Sequence, residues 1–156
     1  MGALLADVPH TRPMPARASS PMGDVRVAVG ADQPTYEGPT GIVGVVTDTA
    51  ARSGLPTLSL WGMVPHYVAQ SPSPKTQLSL VEALEELLGV TVDTAELQAD
   101  AALWRQSVDE VAQDDADIAA YVQQLEEATD ARELPDASGE AIAREFERYL
   151  RGRRRS

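Results

Sequence analysis

Residues 57–65 read Thr57-Leu58-Ser59-Leu60-Trp61-Gly62-Met63-Val64-Pro65. The run is uncharged, largely apolar and stopped by proline, which is how a strand buried on both faces of a parallel sheet reads. A second run of the same kind, Ala3-Leu4-Leu5-Ala6-Asp7-Val8, is stopped by Pro9. Between them, residues 42–52 carry Ile42, Val43, Val45 and Val46, which suit a strand, but Gly41 before and Ser53-Gly54 after predict a helix. A strand, a helix and a strand in this order make one right-handed crossover of a parallel sheet. Residues 14–23 read as a Pro/Ser/Ala loop and Val25–Val29 as a short edge strand.

The composition bounds what this sheet can belong to. A chain of 156 residues is one ordinary domain or less. Its 43% hydrophobic and 24% charged residues are a globular balance. The absence of cysteine excludes disulfides, thiolate metal sites and cysteine nucleophiles, and points to a reducing compartment. The net charge of −11 argues against a general binder of nucleic acid or of anionic membranes. No basic segment followed by an apolar run opens the chain, and the longest uncharged stretch is broken by four prolines. We therefore expect a cytoplasmic protein with no signal peptide and no membrane span.

Charge also divides the chain. Residues 1–75 hold five acidic and five basic residues with ten of the eleven prolines. Residues 76–156 hold nineteen acidic and eight basic residues, so the whole excess of negative charge belongs to the second half. There, Ser73 as N-cap, Pro74 at the first helical position and Gly89 at the end frame a helix whose apolar face is Leu80, Val81, Leu84, Leu87 and Leu88. Leu97, Ala101, Trp104, Val108 and Val111, then Ile118, Val122 and Leu125, form a four-three seam suited to a helical hairpin. Its turn is predicted at residues 113–117, with Asp117 capping the second helix. A last helix is predicted from Ser138, with Ile142, Phe146, Tyr149 and Leu150 buried. The resulting division is 1–92, the C-terminal part of an α/β domain with an incomplete parallel sheet; 93–151, an acidic helical region; and 152–156, a basic tail.

Two strands and one edge strand fall short of a self-sufficient parallel sheet. Four blocks of the chain bear on this: ALLADVPHTRP (3–13), YEGPTGIVG (36–44), SLWGMVPHYVAQSPSPK (59–75) and ASGEAIAREFERYLR (137–151). Together, in this order, they resemble the C-terminal half of bacterial members of the proteasome assembly chaperone 2 family. The resemblance implies a partial three-layer α/β/α domain of nucleoside-phosphorylase-like topology followed by acidic helices. It also implies protein partners, with proteasome subunits as the candidates. Some eukaryotic members dock on α-subunit rings through a C-terminal hydrophobic-Tyr-any tripeptide. This chain reads Arg154-Arg155-Ser156 there, with Tyr149 inside the predicted last helix, so that docking mode does not carry over.

Candidate site residues come from the strand ends, where open α/β sheets bind ligands. His10 and His66 each follow Val-Pro at the end of a predicted strand, and their imidazoles could share one crevice as acid, base or hydrogen-bond donor. The competing reading is that proline sets the strand exit and the histidine bonds a loop carbonyl. Glu37, Gly38, Thr40 and Gly41 precede a predicted helix whose N–H groups could meet an anion, or Thr40 could simply cap it. Lys75, the only lysine, lies at the start of a helix and could face an anionic ligand or solvent. A metal would need a third ligand beside the histidines, Asp7 or Glu37, and no metal or cofactor is expected. Trp61, Trp104, Tyr121 and Phe146 read as core. No catalytic residue is assigned, since no serine has a nucleophile context.

The sequence thus points to a non-catalytic binding or assembly factor, oligomeric and acting by surface contact. The alternative is a small-molecule-binding or enzymatic domain using the crevice near His10 and His66.

Overall fold

The centre of the fold is a strand with a glycine in it. The computed structural model describes residues 1–36, 41–68 and 72–133. In it, β1 (Gly2–Ala6) runs parallel to β3 (Ser59–Pro65), and β2 (Ala16–Ser19) pairs antiparallel on the other side of β3, giving the order β1-β3-β2. Helix α3 (Pro74–Leu88) lies on one face of this sheet. It comes so close that a Cβ on Gly62 would stand 2.5 Å from Cγ2 of Thr76 and 3.1 Å from Leu80. The buried Thr76 hydroxyl donates to the carbonyl of Met63 at 2.9 Å, pinning helix to strand. On the opposite face the Trp61 indole covers Gly2, where a Cβ would meet the ring at 2.6 Å.

Helix α3 ends where the sequence predicts, with Gly89 in the left-handed conformation that glycine favours. Ser73 stands at the N-cap, although its hydroxyl pairs with the Thr76 side chain rather than with a backbone N–H. Leu88 is exposed, because the helix closes before that position reaches the sheet. Helix α2 (Ile42–Arg52) is helical as its framing glycines indicate.

Three expectations are corrected. Residues 16–19 are a strand inside the predicted loop, because the open edge of β3 supplies backbone partners that no β-branched residue needed to request. Val25–Val29 belong to helix α1 (Gly23–Val29), not to a strand. Gly30 closes that helix in the left-handed conformation, and the Arg26 guanidinium holds the carbonyls of Ser20 and Pro21. The sheet is therefore mixed. Finally, β1 is not buried: Leu4 is 41% and Leu5 56% exposed, because β1 is the outer strand.

Beyond a short link, α4 (Ala95–Asp114) packs on α3 and α5 (Ala116–Glu133) folds back on α4. The hairpin core is Ala101, Val108 and Ala112 against Val122 and Leu125, and Val111 of the predicted seam is exposed, one position off the buried stripe. The hairpin turns on Asp115, whose carboxylate accepts the N–H groups of Asp117 and Ile118 at 2.9 and 3.2 Å. Asp115 rather than Asp117 is the cap. The predicted last helix and basic tail lie outside the described residues. Among the described residues no helix is long and apolar enough to cross a membrane.

Candidate functional site

Both parallel strands leave the sheet through a Val-Pro-His step, and Pro9 and Pro65 are fully buried there. The imidazoles that follow have opposite environments. His10 is 1% exposed, whereas the His66 side chain is 44% exposed. Between them stands Tyr67, with ring centroids 5.7 Å from His10 and 6.0 Å from His66, both edge-on. Tyr121 of α5 completes the cluster at 5.3 Å from His66 and 6.0 Å from Tyr67.

The proton positions follow from the partners. The backbone N–H of His10 donates to the Tyr67 hydroxyl oxygen at 2.8 Å, and His10 Nδ1 lies 2.8 Å from the same oxygen. His10 Nε2 lies 2.9 Å from Oδ1 of Asp109 on α4. A carboxylate only accepts, so Nε2 carries the hydrogen and Nδ1 accepts the Tyr67 O–H. Burial holds the imidazole below its ordinary pKa, outweighing the Asp109 carboxylate that favours the charged form. Burial also lifts the Tyr67 phenol to about 12. An Asp109–His10–Tyr67 chain with a neutral imidazole results, in which both ring nitrogens are used.

The surrounding polar groups serve the same contact. Lys75 Nζ donates to the carbonyls of His10 and Arg12 at 2.5 and 2.7 Å, and its pKa is lowered by burial and by the nearby Arg105. Arg12 grips Asp130 of α5 through Nε and Nη2, each at 2.8 Å, and reaches Glu126 at 3.2 Å. The Thr11 hydroxyl donates to Glu126 as well. On the outer side Asp7 accepts from Tyr121 at 3.2 Å and stands 3.0 Å from His66 Nδ1. The arrangement is a polar clasp that ties the loops after β1 and β3 to α4 and α5.

Of the sequence candidates, His10, His66 and Lys75 meet around this clasp. Gly41 is exposed at the N-terminus of α2, which has no side-chain cap, and Glu37, Gly38 and Thr40 lie outside the described residues. Sequence reasoning missed Tyr67, Asp109, Arg12 and Glu126, and it assigned Tyr121 to the core when it belongs to the clasp. The available signal was the sequence neighbourhood of Tyr67 and His66; nothing in one chain ties Arg12 to residues more than a hundred positions away. Among the described residues no group of three His, Cys, Asp or Glu side chains could hold a metal ion. A shallow cleft of about 330 Å³ borders the clasp between α3 and α4, lined by Lys75, Leu78, Ala101, Arg105 and Asp109. A second, of about 600 Å³, lies away from it beside β2, α1 and α3, with Arg17, Asp32 and Glu86 as its charged groups.

Known proteins match this chain over much of its length. The model of the PAC2 family matches residues 1–112. A PAC2 family protein from Streptomyces avermitilis superposes with a TM-score of 0.70 at 42% identity, over 77% of this chain and 50% of that one. A proteasome-assembly chaperone homologue from Mycobacterium tuberculosis gives 0.66 at 39% identity, over 77% and 51%. A second M. tuberculosis protein, of unknown function, gives 0.72 at 26% identity, over 96% and 48%. The chain thus spans about half the length of these structures. No curated protein matches it.

Proposed function

The chain belongs to the PAC2 family, and from that premise we propose that it is a non-catalytic protein-binding factor of the assembly-chaperone kind. The observation that carries this reading is the use of the strand-end groups within the fold. In an open α/β sheet this crevice is where a ligand sits. Here the His10 nitrogens are taken by Tyr67 and Asp109, and Lys75 by two carbonyls. Their work is to hold the helical hairpin. The hairpin's outward residues include Glu96, Asp100, Glu110, Asp114 and Glu127, all exposed, beside Leu103 and Val111. Such a face recognises a basic protein surface more readily than a small anion.

In this reading residues 1–92 are the scaffold and 93–151 the docking arm, in a cytoplasmic setting, and the partners are proteasomal α-subunits. One solved relative carries the description of proteasome-assembly chaperone homologue, which supports that choice. The test mixes the purified chain with isolated α-subunits and follows complexes by native mass spectrometry. A stoichiometric complex that weakens in Glu110→Gln/Asp114→Asn and at raised salt is expected. Free α-subunits beside a free, folded chain at micromolar concentrations reject the proposal.

A further inference from the structure

We propose that His10-Thr11-Arg12 is a proton-released strap, which holds the helical hairpin of α4 and α5 to the strand ends while His10 is neutral and lets go when His10 is protonated. The three residues bond to each element around them. Through their side chains, His10 reaches Asp109 of α4, and Thr11 and Arg12 reach Glu126 and Asp130 of α5. Through their carbonyls, His10 and Arg12 are held by Lys75 of α3. The His10 N–H and Nδ1 both meet the hydroxyl of Tyr67, in the turn after β3. His10 is 1% exposed within these elements, so the device needs nothing beyond them.

The strap decides where α5 stands. Helix α4 packs on α3, and α5 packs chiefly on α4, with Val122 and Leu125 buried. What ties α5 to the strand ends is polar: Glu126 and Asp130 bond to the strap, and Tyr121 donates to Asp7. Without the strap, α5 and the end of α4 from Asp109 onward can lift as one unit. The sheet and α3 stay closed, because Gly62, Thr76 and Leu80 meet one another without the hairpin.

The bonds around the ring fit its neutral form. With Nε2 donating to Asp109, Nδ1 holds the one free lone pair, and the Tyr67 O–H occupies it. A proton on Nδ1 would face the phenol's own hydrogen, so Tyr67 would have to turn its O–H away from its acceptor. The charges facing the ring are Lys75 of α3, on the His10 carbonyl; Arg105 of α4, 3.8 Å from Asp109; and Arg12 in the strap itself. Asp109 opposes them and favours the charged ring, while Glu126 and Asp130 of α5 are bonded to Thr11 and Arg12. Burial outweighs Asp109 and keeps the held imidazole neutral. A released imidazole stands in water and takes its proton near the ordinary 6.5, so protons bound below that pH favour the open hairpin.

The device stands whether or not the hairpin docks a partner, and its test uses the full chain alone. Native-state amide exchange, read as protection factors in low urea at pH 7.5 and 5.5, separates opening of the hairpin from unfolding of the whole chain. Amides of α5 should exchange through an opening that is easier than that of α3 and less steep in urea, because it exposes less surface. Their protection should fall about five- to tenfold from pH 7.5 to 5.5. In His10→Gln, whose amide can still donate to Asp109, that fall should vanish. If the variant does not fold, the native chain decides: it has two histidines, and nitrogen NMR of the His10 ring should show protonation in step with the loss of α5 protection. A single protection and urea slope shared by α3 and α5 at both pH values, α5 protection that ignores pH, a fall that persists in His10→Gln, or a ring that takes its proton with α5 still protected overturns the proposal.

Discussion

The two ends of β1 are built by opposite rules. At its C-terminal end the chain exits into a clasp where two imidazoles, two phenols, a guanidinium and four carboxylates meet one another. Along β1 and over α2 apolar side chains stand exposed: Leu5 is 56%, Ile42 75% and Val46 60% exposed. His10 at the first end is buried and satisfied, so removing it strands its partners. Apolar groups at the second end have yet to leave water, so altering them costs the isolated chain little. Substitution effects should therefore be steep at one end and flat at the other.

The steepest effect lies between the two, where the sheet meets α3. Gly62→Val places atoms where Thr76 Cγ2 already stands 2.5 Å from an ideal Cβ. The helix has to lift off the sheet, breaking the Thr76 bond to Met63. A loss of about 3–4 kcal/mol in urea unfolding is expected. A loss below 1 kcal/mol would mean that α3 is not seated on β3 as described.

Within the clasp, His10→Ala leaves the Asp109 carboxylate and the Tyr67 hydroxyl without their shared partner. It should cost about 2–3 kcal/mol and should speed amide exchange in α4 and α5 beyond that in α3. Tyr67→Phe removes the acceptor of the His10 N–H and the donor to Nδ1, and about 1–2 kcal/mol is expected. The acid response carries a sign. His10 is held below its ordinary 6.5 in the fold, so the unfolded chain binds its proton first and stability falls as pH drops below about 6.5. Lys75 and Arg105 add to this by disfavouring a third cation, against Asp109. Asp130, lowered by its bond to Arg12, contributes fully above its ordinary 3.8 and loses that contribution as pH falls from there through its lowered value. A fall in melting temperature between pH 7.5 and 5.5 that disappears in His10→Ala would confirm the assignment; an unchanged slope would refute it.

What the sequence revealed and what it hid follow the same division. Local punctuation was legible: Pro65 is the last residue of β3, Ser73-Pro74 and Gly89 bounded α3, and Gly41 with Ser53-Gly54 marked α2, whereas β1 ends at Ala6, before Pro9. The hidden elements depend on distant partners. The strand at residues 16–19 exists because β3 has an open edge, and the valines of 25–29 entered a helix because Gly30 closes one. The site divided likewise. His10 and His66 could be placed by their strand ends, whereas Asp109 and Glu126 looked like any acids on acidic helices. Their selection depends on which face of the hairpin meets the strand-end loops, and that is fixed only when the seam of Ala101, Val108 and Ala112 is packed.

The smallest expected effect sharpens the comparison most. Helix α2 has no buried residue, and Ile42, Val43, Val45 and Val46 are all at least half exposed. Its stability therefore rests on its backbone bonds, its Asp48–Arg52 pair and the crossover it completes, not on that stripe. Ile42→Gln/Val46→Gln should move the urea midpoint of the monomeric chain by no more than about 0.5 kcal/mol, since both side chains already stand in water. The same pair in a packed crossover helix would cost several times as much. A large loss would therefore reveal that these side chains are covered in solution and that the apolar end is in contact with something. A null result, set beside the loss at His10, would show that the clasp, and not this stripe, stabilises the fold.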